Sequence, residues 1–222
     1  MDQKIKVIVT GATGMVGDGV LQQCLESTQV SEVLIINRRP SGVVHHKLKE
    51  IIHADFFDFS TIEAQLNDYD ACYFCLGVSS VGMKEPEYYR LTYTLTMHAA
   101  GTLSRLNPGM TFCYISGAHT DSTEKGGSMW ARVKGKTEND LGKLPFKQEF
   151  NFRPGFMKPA VGAKNVLTLY KYMGWLYPVI KFFSPDSVCT IAEVGQAMIN
   201  VTLHGFEKNI LEVKDIKMAA HR

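Results

Sequence analysis

From Lys4 to Leu21 the chain reads KIKVIVTGATGMVGDGVL, and no other stretch restricts the fold as tightly. Ile5 to Val9 is a short apolar run, mostly β-branched, as a buried strand requires. Gly11, Gly14 and Gly17 follow at three-residue intervals, and Val16, Val20, Leu21 and Cys24 recur at helical spacing behind them. Strand, glycine turn and helix in that order predict the first βα step of a dinucleotide-binding unit. Gly11 permits the tight turn, Gly14 lets a pyrophosphate approach the backbone, and Gly17 lets the helix lie close to the sheet. The phosphates would rest on free N–H groups at the positive helix end, with Thr13, Met15 and Val16 completing the cradle.

The alternation continues downstream. Val33 to Ile36, Leu48 to His53, Ala71 to Leu76, Met110 to Ile115 and Phe150 to Gly155 predict further strands. Between them, helices are predicted over Met15–Ser27, Ser60–Asp68 (capped by Ser60 or Thr61), Glu85–Leu103 and Ser128–Leu141. Later, Thr190 to Leu203 predicts an amphipathic helix with Thr190 as its cap, and Lys208 to Lys214 a last strand before a short tail. A chain of 222 residues, 45% hydrophobic, can bury one sizeable core. The expected fold class is therefore α/β: a three-layer doubly wound Rossmann fold with a predominantly parallel sheet. It is expected as a single domain over 1–222, with 156–222 as a small substrate-side elaboration.

Beyond the second strand comes Asn37-Arg38-Arg39-Pro40, with no Asp or Glu. An acid at this distance from the glycines meets the ribose hydroxyls of NAD, whereas an arginine accommodates the 2′-phosphate of NADP. Arg38 is read as the phosphate clamp with Arg39 assisting, because guanidinium donors match phosphate oxygens in pairs; the plainer alternative is two solvated loop arginines. The cofactor expected is thus NADP (NADPH) before NAD. Asp55 and Phe56 follow the third strand, where they could meet the adenine amino group and ring, although Asp55 could equally be a turn acid. Leu76 and Gly77 end the fourth strand, where a small residue gives a nicotinamide ribose or pyrophosphate access.

Other features restrict partners. A formal charge of +2 without a basic block argues against nucleic acid. His45, His46 and His53 lack accompanying ligands at metal-binding spacing, so no metal is expected. Cys72 and Cys75 form a C-x-x-C, but a strand would point them to opposite faces, which favours buried thiols over redox or metal chemistry. Five cysteines without framework spacing suit a reducing, cytoplasmic location, and an N-terminus that enters a strand almost at once leaves no room for a secretion signal. Residues 165–183, NVLTLYKYMGWLYPVIKFF, are interrupted by Lys171, Gly174, Pro178 and Lys181, too broken for a membrane span. A substrate-pocket lid, an oligomer-interface helix that leaves a homodimer open, and a helix lying on a bilayer surface all remain as readings of it.

TGATGMVG, the NRR after the second strand, CLG after the fourth, ISG after the fifth, VKGKTEND and FRPG (Phe152 to Gly155) together resemble the atypical short-chain dehydrogenase/reductases. Within them the chain looks most like the small NADPH-binding proteins related to the human Tat-interacting oxidoreductase. The resemblance implies a Rossmann fold, NADP(H), a small-molecule substrate and a Ser, Tyr, Lys set in the pattern Y-x-x-x-K. Carried over, Ser116 matches the serine that bonds the substrate oxygen, and Lys134 the lysine that holds the nicotinamide ribose and lowers the tyrosine's pKa. Pro154 opens the Pro154-Gly155 backbone that approaches the carboxamide.

The tyrosine position is Trp130. An indole N–H donates a hydrogen bond but cannot release its proton near neutral pH, whereas carbonyl reduction needs a proton as hydride arrives. Another group could supply it, with His119, Tyr114 or a tyrosine of the 88–93 segment as candidates. Alternatively the protein binds NADP(H) without turnover, as a regulatory or interaction module, or Trp130 shapes a pocket for different chemistry. NAD-dependent epimerase/dehydratase activity is the alternative enzyme class.

Overall fold

The computed structural model describes residues 4–158 and 184–222, so the aromatic stretch 165–183 lies outside the described residues. In chain order the strands are β1 (Ile5–Thr10), β2 (Val30–Asn37), β3 (Leu48–Ile52), β4 (Ala71–Phe74), β5 (Thr111–Ile115), β6 (Gln148–Arg153), β7 (Phe156–Lys158), β8 (Val188–Thr190) and β9 (Ile210–Glu212). Seven of them form one sheet in the order β3-β2-β1-β4-β5-β6-β9, and every neighbouring pair is parallel. β7 and β8 make a separate parallel pair. The order reverses between β1 and β4, and a doubly wound sheet opens its ligand crevice at the carboxyl ends on either side of such a reversal.

Alternation along β1 divides the core in two. Val7 and Val9 face a cluster with α1 (Met15–Glu26) and two later helices, α5 (Ile191–His204) and α6 (Val213–Ala220). Ile8 faces a second cluster with α3 (Leu95–Leu106) and α4 (Met129–Leu141), here numbered after α2 (Glu85–Tyr89). Sheets buried on both faces need such near-continuous apolar strands. The thiols follow the same division: Cys72 lies in the second cluster, while Cys24 and Cys113 lie in the first with Cys75 packed against it. Burial raises Cys72 and Cys113 well above the thiol range and pushes Cys75 up to about 12, which leaves these thiols protonated and unreactive.

Three predicted elements differ. Ser60–Asp68 is not a helix but a single 3-10 turn at Glu63–Gln65. The Asp58 carboxylate takes the Ser60 N–H at 2.8 Å and Asp68 turns out at φ 66°, leaving too few residues to nucleate a longer helix. Its two anchors, Ile62 and Leu66, are nonetheless buried. The helix expected over Glu85–Leu103 is α2 and α3 joined by a π-helical turn at Arg90–Thr94, and of its aromatics only Tyr88 is fully buried. At the C-terminus the strand shrinks to β9, and α6 stands where a tail was expected. The Glu212 carboxylate accepts from the Asp215 N–H and the Asp215 carboxylate from the Glu212 N–H, the reciprocal cap that starts α6. α5 is capped as predicted, with Thr190 Oγ1 accepting from the Glu193 N–H at 3.1 Å.

Candidate active site

The glycine turn sits at the sheet's reversal point. Gly11 has φ +70°, and a Cβ there would lie 2.8 Å from the Cys75 carbonyl carbon, so the turn is pressed against the exit of β4. A Cβ on Gly17 would lie 2.1 Å from the Gly11 oxygen, which seats α1 directly on the end of β1. Around Gly14 space is open: its Cβ would meet only the Gly11 oxygen, at 3.3 Å. Gly14 is also the N-cap of α1 and brings no side chain to the free N–H groups of the first turn. An uncapped helix start facing open space is what a diphosphate requires. Met15 is buried, Val16 half-buried and Thr13 exposed along this turn.

At the end of β2, Arg38 and Arg39 are exposed and make no hydrogen bond or ion pair with other described residues. Asn37 beneath them donates to Glu50 Oε1 at 2.9 Å, and Glu50 also accepts the Ser41 N–H at 2.8 Å, fixing the loop that carries the arginines. The loop after β3 is held differently. His53 Nε2 donates to the carbonyls of Asp55 (2.6 Å) and Asp58 (2.7 Å), and Asp55 Oδ1 accepts the Phe57 N–H at 2.8 Å. Asp55 thus makes a turn of its own and is exposed. Phe56 is 6% exposed and packs edge-on against Phe59, so its ring belongs to the core. Leu76 is half-buried and Gly77 exposed beyond β4.

A cleft of about 720 Å³ opens beyond β5 and β6, lined among others by Ser116, His119, Lys134, Arg153, Pro154, Met157, Asp186 and Glu212. Lys134 comes from α4, and its ammonium donates to the Ile115 carbonyl at 3.4 Å and to the Ser116 carbonyl. Desolvation lowers its pKa to about 8, against the opposing pull of Glu138. Ser116 is 4% exposed and donates both its N–H (2.9 Å) and its hydroxyl (3.1 Å) to the Phe152 carbonyl of β6. Pro154 is buried, and its carbonyl accepts the Ala118 N–H at 3.0 Å. Ser116, Lys134 and Pro154 are thereby brought together. Trp130, one turn before Lys134, is half-buried and does not line the cleft.

Three determinants of this geometry escape sequence reasoning. Arg153 joins Glu138 of α4 by two bonds, Nε to Oε1 at 3.0 Å and Nη2 to Oε2 at 2.5 Å, and reaches Glu212 Oε1 at 3.2 Å. The only signal was an arginine inside an apolar strand and an acid on the buried face of a helix. Asp121 organises the loop before α4, accepting Thr123 Oγ1 at 2.6 Å and the Gly126 N–H at 2.7 Å. The Thr123 hydroxyl and these N–H groups hold its carboxyl below the usual range. Third, a Cβ on Gly135 would lie 1.8 Å from the Asp121 carbonyl oxygen, so α4 rests on that loop and Lys134 takes its height from it.

Fold and site define a protein of the Rossmann class. The profile of the NAD dependent epimerase/dehydratase family matches residues 7–125, more than half of the chain, and the chain belongs to that family. A curated relative, Protein FMP52-1, mitochondrial, of Scheffersomyces stipitis, is 25% identical over 212 residues, 92% of this chain and 91% of the relative. Among solved structures, the PhqB reductase domain of Penicillium fellutanum superposes with TM-score 0.70 at 18% identity, covering 96% of this chain and 67% of that one. The Bordetella bronchiseptica enzyme WbmF, solved in complex with NAD+, gives TM-score 0.67 at 12% identity, covering 99% and 78%. At such identities the superpositions establish a shared fold.

Proposed function

We propose that the chain is an NADP(H)-binding oxidoreductase of the atypical short-chain dehydrogenase/reductase kind, acting on a small carbonyl or hydroxyl substrate. The observation that carries the reading is the glycine turn: closed tightly at Gly11 and Gly17, open at Gly14, and backed by an uncapped helix start. Those residues fit a diphosphate. Arg38 and Arg39, exposed and without a partner among the described residues, favour a 2′-phosphate, and hence NADP, although WbmF was solved with NAD+. The nucleotide would supply a hydride; Lys134 would hold its ribose, the Pro154 backbone would lie on the carboxamide side, and Ser116 would offer its hydroxyl oxygen to the substrate. The likeness to the Tat-interacting oxidoreductases belongs to this proposal, as does a reducing, cytoplasmic location, which the free thiols favour and the relative's mitochondrial name opposes. Among the described residues no helix is long and apolar enough to cross a membrane.

The test is thermal. NADPH should raise the melting temperature more than NADH, and Arg38→Ala should abolish the difference while costing about ten- to hundredfold in NADPH affinity, the worth of a charged hydrogen bond of about 1.5–3 kcal/mol. Equal stabilisation by NADH would sink the NADP assignment. A second reading, a binding module without turnover, is favoured by Trp130 in the tyrosine position; it predicts tight NADPH binding with no oxidation across a broad carbonyl panel. The family name keeps epimerisation as the alternative chemistry.

A further inference from the structure

A carbonyl that takes a hydride must also take a proton, and on the oxidoreductase reading just given, on which this inference rests, Trp130 cannot supply it. Neither can the tyrosines nearby. Tyr114 is 1% exposed and burial carries its phenol far above the ordinary range; Tyr88 is 2% exposed and raised for the same reason. Tyr93 donates its hydroxyl to Asp140 at 2.7 Å, Tyr89 packs on Tyr93 with ring centroids 4.6 Å apart, and neither lines the cleft. Within the cleft, Ser116 has committed its hydroxyl proton to Phe152 and Lys134 spends its ammonium on two main-chain carbonyls. Arg153 is taken up by Glu138 and Glu212.

His119 differs from all of these. It lines the same cleft, and its imidazole makes no hydrogen bond or ion pair with other described residues. Its backbone is in the left-handed region at φ +66°, which a residue with a Cβ adopts at a cost. That conformation is imposed from both sides: the Ala118 N–H is held by Pro154, and the Thr120 hydroxyl donates to the Gly117 carbonyl at 2.7 Å. Strain that the surroundings over-determine at the rim of a cleft marks a side chain being presented. The other described non-glycine residues with positive φ, Asp68 and Glu124, lie away from this cleft.

We propose that His119 is the proton donor of this site. A carbonyl carbon that accepts the hydride gives its π pair to oxygen, and that oxygen takes the proton from the His119 imidazolium. The products are an alcohol, oxidised nucleotide and a neutral imidazole, which water reprotonates; in the reverse direction the imidazole accepts the alcohol proton. The charged groups that line the cleft with it are Lys134, Arg153, Asp186 and Glu212.

The experiment compares the wild type with His119→Asn, chosen because asparagine tolerates the left-handed conformation and cannot transfer a proton in this range. NADPH-dependent reduction of 9,10-phenanthrenequinone and 4-nitrobenzaldehyde is followed from about pH 6 to about pH 9, with NADPH affinity by fluorescence and the histidine ring resonances by NMR. Measured at saturating NADPH, so that the affinity loss expected from Lys134 does not enter, the wild-type kcat should fall on the alkaline side; His119→Asn should lose about 10²–10⁴ in kcat and that limb, with NADPH affinity unchanged. The ring resonance missing from His119→Asn should shift when NADP+ is added to the wild type. A variant that keeps the rate or the limb overturns the proposal, as does a wild type that binds NADPH but turns over neither carbonyl, or a resonance indifferent to the nucleotide. Absence of NADPH binding brings down the cofactor reading itself, a result distinguishable from the others.

Discussion

Arg153 of β6 and Glu138 of α4 form a two-bonded ion pair in which the glutamate side chain is 1% exposed and the arginine side chain 10%. The pair clamps the helix that carries Lys134 to the end of β6, directly before Pro154. Removing Arg153 leaves the Glu138 carboxylate buried without its ion-pair partner, whereas removing Glu138 would still leave Arg153 paired with Glu212. Arg153→Met should therefore destabilise the protein by about 3–5 kcal/mol, measured by urea unfolding, and a loss below about 1 kcal/mol would show that the pair is not desolvated.

The two kinds of glycine in the turn should separate cleanly. Gly17→Ala forces a Cβ to within 2.1 Å of a backbone oxygen and should lower the melting temperature and abolish nucleotide binding together. Gly14→Ala meets its nearest atom at 3.3 Å and should fold near normally while weakening NADPH binding. Calorimetry paired with NADPH titration checks both, and a Gly14→Ala protein with full affinity would argue against a diphosphate at this turn.

Glu149, at the start of β6, is a carboxylic acid near neutral pH. Burial, followed by the charge of Glu138, raises its pKa from 4.5 to about 8, and its oxygens lie out of solvent. Asn151 and Asn209 temper the shift, but neither closes a well-formed hydrogen bond to it. The unfolded chain releases this proton near pH 4.5 and the folded chain only near 8, so between those values the folded state binds more protons. Stability should accordingly fall as pH rises through that window and level off above it. Glu149→Gln should flatten this part of the curve and be the more stable protein at pH 8, as read by denaturant midpoints at three pH values.

Lys134 provides a pH signature for binding. With its pKa lowered to about 8 in the free protein, the ammonium is largely lost by about pH 9. NADPH affinity should decline from pH 7 to pH 9, by at most about tenfold per unit for one proton. Lys134→Met should bind weakly with little pH dependence. Wild-type affinity that stays level across the range would remove Lys134 from the cofactor's contacts.

Most of the scaffold was legible from residues 5–21 and from the alternation of apolar strands, because a sheet buried on both faces leaves few places for polar residues. Ser60–Asp68 misled because cap residues and two apolar anchors resemble a helix when the competing Asp58 turn is not visible. The site was legible in part. Ser116, Lys134 and Pro154 meet around one cleft, whereas the ring of Phe56 turns inward to a core that no local pattern reveals. The Arg153–Glu138 pair is a contact between distant segments that leaves no periodic trace, and His119, one of several candidates in the sequence, is set apart only by a backbone angle that its neighbours enforce.

A Cβ on Gly19 of α1 would lie 2.2 Å from the Ile191 side chain, and one on Gly195 of α5 would lie 2.9 Å from Gln23. Two helices notched into each other at this range cannot slide or part without tearing their contact. Helix α1 and the strand pair β7–β8 leading into α5 are thus mortised into one block. Mutations that loosen the α1–α5 joint should therefore disturb the glycine turn and the cleft beyond β5 and β6 together.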